Sequence, residues 1–161
     1  MKKVDSKIAF GGGCHWCTEA IFQSIPAVNK VEQGWIRSEP PHHEFSEAII
    51  VYFNEAVISL AKLISIHINT HSATSNHSMR SKYRSAIYFF NENQKEQFSE
   101  VMKRIQSESN ELIITEILPF SEFMLNQENY LNYYYSNPEK PFCQTYIKPK
   151  LERLKKALNI M

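Results

Sequence analysis

The sequence predicts an α+β fold, an α/β sandwich with a ferredoxin-like β-α-β-β-α-β core on a mixed sheet, extended by an α-β unit and C-terminal helices. Three observations lead there. Short β-branched and aromatic runs alternate with segments of helical periodicity. Their order is β-α-β-β-α-β followed by α-β, the split βαβ arrangement with one unit added. The chain has 161 residues, 43% of them hydrophobic and 22% charged, which is ordinary for a globular protein. A chain of that size buries roughly two-thirds of its unfolded surface in one core. Residues 1–161 are therefore taken as a single domain.

The first strand is Lys7 to Phe10, stopped by three consecutive glycines that suit a tight turn. Cys14 to Ser24 follows as a helix, with Trp16, Ala20, Ile21 and Ser24 at helical spacing before Pro26. Val28 to Trp35 and Phe45 to Phe53 read as strands separated by a loop, Arg37 to His43. Ser59 caps a second helix carrying Leu60, Leu63, Ile64 and His67, and a long polar stretch, Asn69 to Lys82, precedes a strand from Ser85 to Phe90. Asn91 or Asn93 caps a third helix whose Phe98, Val101, Met102 and Ile105 share a face, and Leu112 to Leu118 is the last predicted strand. Tyr130 to Ser136 reads as a short helix, and Lys148 to Leu158 as a basic amphipathic one.

Eighteen basic and 17 acidic side chains leave a net charge of +1, too little to steer the chain onto nucleic acid or an anionic membrane. No run of about 18 apolar residues occurs, and the basic start, Met1 to Lys7, lacks the apolar stretch of a leader. The chain is expected to be cytoplasmic and monomeric, with no nucleic-acid or membrane partner. Three cysteines are too few and too odd in number for a disulfide framework, which leaves chemistry or metal binding.

Cys14 falls where a strand gives way to a helix, and the amides of a helix start favour a thiolate. Cys17 is one turn on, an arrangement recurrent in redox proteins, although two small buried apolar residues would give the same spacing. Zinc would need two further ligands, and His67 and His71, four apart, have no partner motif. No metal site is expected.

The segment Phe10-Gly-Gly-Gly-Cys-His-Trp-Cys-Thr-Glu-Ala-Ile-Phe resembles the active-site signature of the methionine sulfoxide reductase A family, whose usual form is Gly-Cys-Phe-Trp. Further matches follow in order: Glu47 at the family's acidic position, Tyr83-Arg84-Ser85-Ala86 on its Tyr-Arg-Ser-Ala, then Thr115-Glu116-Ile117, Asn137-Pro138 and Phe142-Cys143. The similarity runs from about Ile8 to Leu154.

The resemblance implies an enzyme of protein repair under oxidative stress, reducing methionine S-sulfoxide, free or in oxidised proteins. Cys14 would attack the sulfoxide sulfur and become a sulfenic acid. Glu47 would protonate the departing oxygen, since charge builds there as the thiolate attacks, and burial against its apolar strand would keep it protonated. Tyr83 would hydrogen-bond that oxygen. Trp16 would give the methyl group an apolar wall, with Gly13 and His15 completing the substrate site. Cys17 or Cys143 would resolve the sulfenic acid as a disulfide. No cofactor is implied; thioredoxin, or dithiothreitol in the test tube, would be the reductant.

Three departures from the family pattern stand out. His15 replaces phenylalanine and puts a titratable ring beside the thiolate, where it could help ionise Cys14. The stretch between Trp35 and Glu47 is short and lacks the Tyr-Thr-Gly-Gly pattern with its second tyrosine. Ser78 and Lys82 replace an aspartate and a glutamine, leaving oxygen polarisation to Glu47 and Tyr83, with His71 or His77 as possible helpers. Two other functions use the same residues: a thiol-disulfide oxidoreductase with Cys14 and Cys17 as its dithiol, and a sulfoxide-binding protein without turnover.

Overall fold

The computed structural model describes residues 6–12, 15–70, 83–131, 133–136, 139–141, 143–149 and 151–152. Six strands form one sheet in the order β5-β4-β1-β3-β2-β6. They are β1 Ser6–Gly11, β2 Val28–Arg37, β3 Ser46–Phe53, β4 Ala86–Phe89, β5 Glu116–Pro119 and β6 Glu122–Leu125. Helix α1, His15–Gln23, joins β1 to β2, and β3 then inserts antiparallel between them. With β4 antiparallel on the far side of β1, this is the expected ferredoxin-like core. Helix α3, Glu92–Glu108, is the crossover that lets β5 pair parallel to β4.

Alternation along the strands sorts the sheet into two faces. Ile8, Phe10, Ile49, Val51, Ile87 and Phe89 point to the helices and meet Ala20, Ile21 and Phe22 of α1, Leu63 and Ile64 of α2 (Leu60–Thr70), and Phe98 of α3. Both predicted caps form: Ser59 Oγ accepts the Lys62 amide at 3.1 Å, and Asn91 Oδ1, of the two asparagines considered, accepts the Gln94 amide at 2.9 Å.

The other face carries Ala9, Ile36, Ala48, Ile50, Ala86, Tyr88 and Leu118, and it is concave. Residues 120–121 alone connect β5 at one edge to β6 at the other. Six flat strands would span about 24 Å, whereas that link reaches about 10 Å. The sheet must therefore curl until its edges approach, and the alanines make room inside the curl. Arg84 bridges the concavity, donating to Tyr88 Oη (3.0 Å), the Glu44 carbonyl (3.1 Å) and the Ile36 carbonyl (3.3 Å). Burial pushes the Tyr88 hydroxyl pKa up, opposed by the Arg84 charge.

The chain departs from the predicted elements toward its C-terminal end. Residues 112–115 are not strand: Leu112 is 75% exposed, and the Ile113 amide is taken by Gln106 Oε1. Parallel pairing begins only at Glu116, whose amide reaches the Ser85 carbonyl. Strand β6 was not predicted. It is four residues long, half exposed at Met124 and Leu125, and exists because β2 offers it an edge. The expected Tyr130–Ser136 helix is a 3-10 turn, Glu128–Tyr130, followed by a single α turn, α4 Tyr133–Ser136. Helical winding begins earlier than Lys148, in a π turn over Cys143–Ile147, and the end of the predicted terminal helix lies outside the described residues.

Candidate active site

Of the predicted site residues, His15 and Glu47 meet at the end of the sheet where β1 stops and α1 begins. Gly12 there has φ 147°, a conformation that side-chain-bearing residues avoid, so the turn depends on glycine. Gly13 and Cys14 lie outside the described residues, as do His71, His77, Ser78 and Lys82. Gly12 and His15 bracket Cys14 in the chain.

Glu47 is the second residue of β3, on the helix-facing side opposite Trp35 of β2, and is 7% exposed. Its Oε1 accepts the backbone amide of His15 at 3.1 Å. That amide belongs to the first turn of α1, where no intrahelical acceptor exists, so the carboxylate serves the helix start from a neighbouring strand. Tyr83 is half-buried, and the amide next to it, Arg84 N–H, donates to Ser46 Oγ at 2.7 Å. The backbones of Arg84 and Glu47 also converge on Gly11, where a Cβ would lie 2.7 Å from one carbonyl oxygen and 3.3 Å from the other. Residues distant in sequence thus share one end of the sheet.

His15 is not a passive wall. Its ring is 4% exposed and packs edge-on against Trp35 at 5.1 Å. Nδ1 donates to the Gly34 carbonyl at 2.8 Å, and Nε2 lies 3.6 Å from Glu47 Oε1. Gly34 is where β6 crowds β2: an added Cβ would sit 1.9 Å from the Met124 carbonyl oxygen. Trp16 is partly buried and stacks on Tyr130 at 5.9 Å. Trp35, Gly34 and Tyr130 were missed from the sequence, where two read as strand and one as the start of a helix. The dense aromatic run after Tyr130 was the available signal.

Neither Cys17 nor Cys143 is in a disulfide, and both are buried in the helix-side core, 3% and 0% exposed. The π turn carrying Cys143 packs against α1. The proline-flanked segment thus holds its cysteine inside the core, and burial pushes the Cys143 thiol pKa up against a smaller pull from Lys140. His67 is a core histidine, stacked on Phe10 at 4.5 Å with Nε2 donating to the Gly11 carbonyl at 2.7 Å. Among the described residues no three His, Cys, Asp or Glu side chains gather as a metal would need. No helix among them is long and apolar enough to cross a membrane.

The model of the family described as peptide methionine sulfoxide reductase matches residues 6–160. The peptide methionine sulfoxide reductase MsrA of Acinetobacter baumannii is 31% identical across 90% of this chain and 91% of its own length. This chain belongs to the peptide methionine sulfoxide reductase family. Its fold is also that of reduced Mxr1 from Saccharomyces cerevisiae, with TM-score 0.74 and 21% identity over 89% of this chain and 91% of that one. Mxr1 in complex with Trx2 gives TM-score 0.64 and 20% identity over 81% and 85%.

Proposed function

We propose that residues 1–161 act as one catalytic domain that reduces methionine S-sulfoxide, free or in oxidised proteins. The observation that carries this reading is the buried Glu47 carboxyl, bonded to the amide of the residue that follows Cys14. In this reading Glu47 supplies the proton that the sulfoxide oxygen takes up as the sulfur is attacked.

The Cys14 thiolate attacks the sulfoxide sulfur, Glu47 protonates the oxygen, and Tyr83 donates a hydrogen bond to it. One thiolate, one sulfoxide and one proton become a sulfenic acid and a thioether. The Cys14 sulfur loses two electrons and the substrate sulfur gains them. Trp16, with Tyr130 stacked on it, receives the methyl side of the substrate. Cys143 or Cys17 then condenses with the sulfenic acid, releasing water and leaving a disulfide. Both thiols are buried, so this step requires α1 and the π turn to loosen. A thioredoxin dithiol reduces the disulfide, a partner supported by the yeast relative solved with Trx2. The enzyme works without a cofactor, as a cytoplasmic monomer.

Purified protein with dithiothreitol is expected to reduce the S epimer of a blocked methionine sulfoxide and spare the R epimer, and Cys14→Ser to abolish turnover. Equal rates on both epimers, or full activity in Cys14→Ser, would overturn the assignment.

A further inference from the structure

We infer that His67 is a positioning residue for the reaction: its hydrogen bond to the Gly11 carbonyl fixes the start of the glycine turn that carries Cys14, and with it the line of attack of the thiolate. This rests on the reductase reading above and deepens it by naming a residue outside the reacting set.

The bond is fixed from the histidine side. A carbonyl oxygen only accepts, so His67 Nε2, 2.7 Å from the Gly11 oxygen, carries the hydrogen. The residue is 2% exposed. Its ring stacks on Phe10 at 4.5 Å, and Phe10 stacks on Phe22 of α1 at 4.9 Å, so three rings hold the nitrogen in place. His67 stands in the last turn of α2, where Thr70 Oγ1 donates to the Ile66 carbonyl at 2.7 Å. A donor from the helix layer thus reaches the last residue of β1. Packing alone does not call for an imidazole, since a phenylalanine would stack on Phe10 as well. It could not donate to the Gly11 carbonyl, in a buried residue where a lost hydrogen bond is costly.

Gly11 is where the segments of the site meet. It pairs with Ala48 of β3 and with Ala86 of β4. The Arg84 and Glu47 carbonyl oxygens crowd its Cα, so that an added Cβ would lie 2.7 Å and 3.3 Å from them. Glu47 is the proposed proton donor, and Arg84 follows Tyr83 in the chain. A shift at Gly11 therefore displaces both.

From Gly11 the chain runs through Gly12, at φ 147°, and Gly13 to Cys14. Glycines lose more conformational freedom on ordering than other residues, so a turn built of them depends on its ends being held. His67 holds one end at Gly11, and Glu47 Oε1 holds the other through the His15 amide at 3.1 Å. Cys14 lies between the two anchors. Released at Gly11, the turn spreads over more conformations, and the thiolate meets the sulfoxide less often in the reactive geometry. The contacts of Trp16 and Tyr130 with substrate are left alone, so the loss falls on kcat rather than on affinity.

The test compares wild type with His67→Phe, which keeps the stacked ring without the donor, and His67→Gln, whose Nε2 lies the same number of bonds from Cα as the imidazole Nε2 and restores it. All are assayed where circular dichroism shows them folded. Single-turnover reduction of the S epimer is expected to fall about 10²-fold in His67→Phe, the order of loss from an ångström-scale misplacement. The half-saturating substrate concentration should change by less than about threefold, and His67→Gln should recover most of the rate. A folded His67→Phe at the wild-type rate would overturn the proposal, as would equal losses in both variants, which mark packing alone. Alkylation of Cys14 by iodoacetamide at pH 7, followed by mass spectrometry, reads the turn without turnover. It is expected to slow in His67→Phe and to recover in His67→Gln, and one rate in all three would overturn the proposal. The expected pattern in a protein that reduces no sulfoxide would remove the reductase assignment and leave the positioning standing. Nitrogen-15 NMR of the wild type needs neither variant to fold. A coupling from a histidine Nε2 to the carbonyl carbon of labelled glycine is expected, and its absence would overturn the proposal.

Discussion

Gly34→Ala tests how the edge strand supports the site. The added Cβ would lie 1.9 Å from the Met124 carbonyl oxygen, 2.9 Å from its carbonyl carbon and 3.1 Å from the Asn126 amide nitrogen. These are backbone atoms, so no rotamer change relieves the clash. Restoring ordinary contact moves β6 outward by roughly 1.5 Å. The Asn126 amide is bonded to the Gln33 carbonyl at 2.9 Å, and a shift of that size breaks it. The paired bonds Asn126 Nδ2 to Gln33 Oε1 (2.6 Å) and Gln33 Nε2 to the Tyr130 carbonyl (2.8 Å) are strained with it. At about 1 kcal/mol each, three hydrogen bonds amount to about 3 kcal/mol of stability. The Gly34 carbonyl also anchors His15, and Tyr130 backs Trp16, so reductase activity should fall further than unfolding accounts for. Urea unfolding with parallel activity measurements at a denaturant-free, fully folded baseline reads both effects. A loss of stability under 0.5 kcal/mol with activity intact would refute the reasoning.

Other changes give separable outcomes. Glu47→Gln retains an oxygen for the His15 amide, so the fold should persist by circular dichroism while single-turnover reduction drops about 10²–10⁴-fold, the usual worth of a general acid. Cys143 keeps its proton longer in the folded state than in the unfolded chain, so its contribution to stability is complete below the ordinary thiol value of about 8.5 and is lost as pH rises through the higher folded value. Urea midpoints between pH 7 and 10 should therefore fall more steeply for the wild type than for Cys143→Ala. Arg84→Lys gives up the planar fork that reaches Tyr88, Glu44 and Ile36 together, leaving at least one buried acceptor unmet, at roughly 2–3 kcal/mol in thermal or urea unfolding.

The local chemistry was legible in the sequence. Helix caps at Ser59 and Asn91, the alternation of β3 and the glycine stop after β1 are short-range effects, and the structure bears them out. Cys14 was a candidate from its place at a glycine turn before a helix, and Glu47, Tyr83 and Cys143 from the resemblance to the family pattern; their roles rest on the proposed function. Strand β6 was not legible, because four residues with a half-exposed pattern carry no periodicity of their own, and their pairing is supplied by β2. Residues 112–115 misled in the opposite sense, being β-prone but without a partner until Ser85 comes alongside.

By itself, the sequence determined which segments can be helix or strand, since that follows from side-chain type and spacing along one chain, and, through its resemblance to a family pattern, which residues are candidates for the chemistry. Tertiary structure alone decided what those residues face. Curling of the sheet set Arg84 across the concave side, β6 brought Tyr130 to Trp16, and the meeting of α1 with β2 and β3 turned His15 toward Gly34 and Glu47. Those contacts join positions 19 to 114 residues apart, and no local pattern encodes them, because they exist only once burial has paired the surfaces.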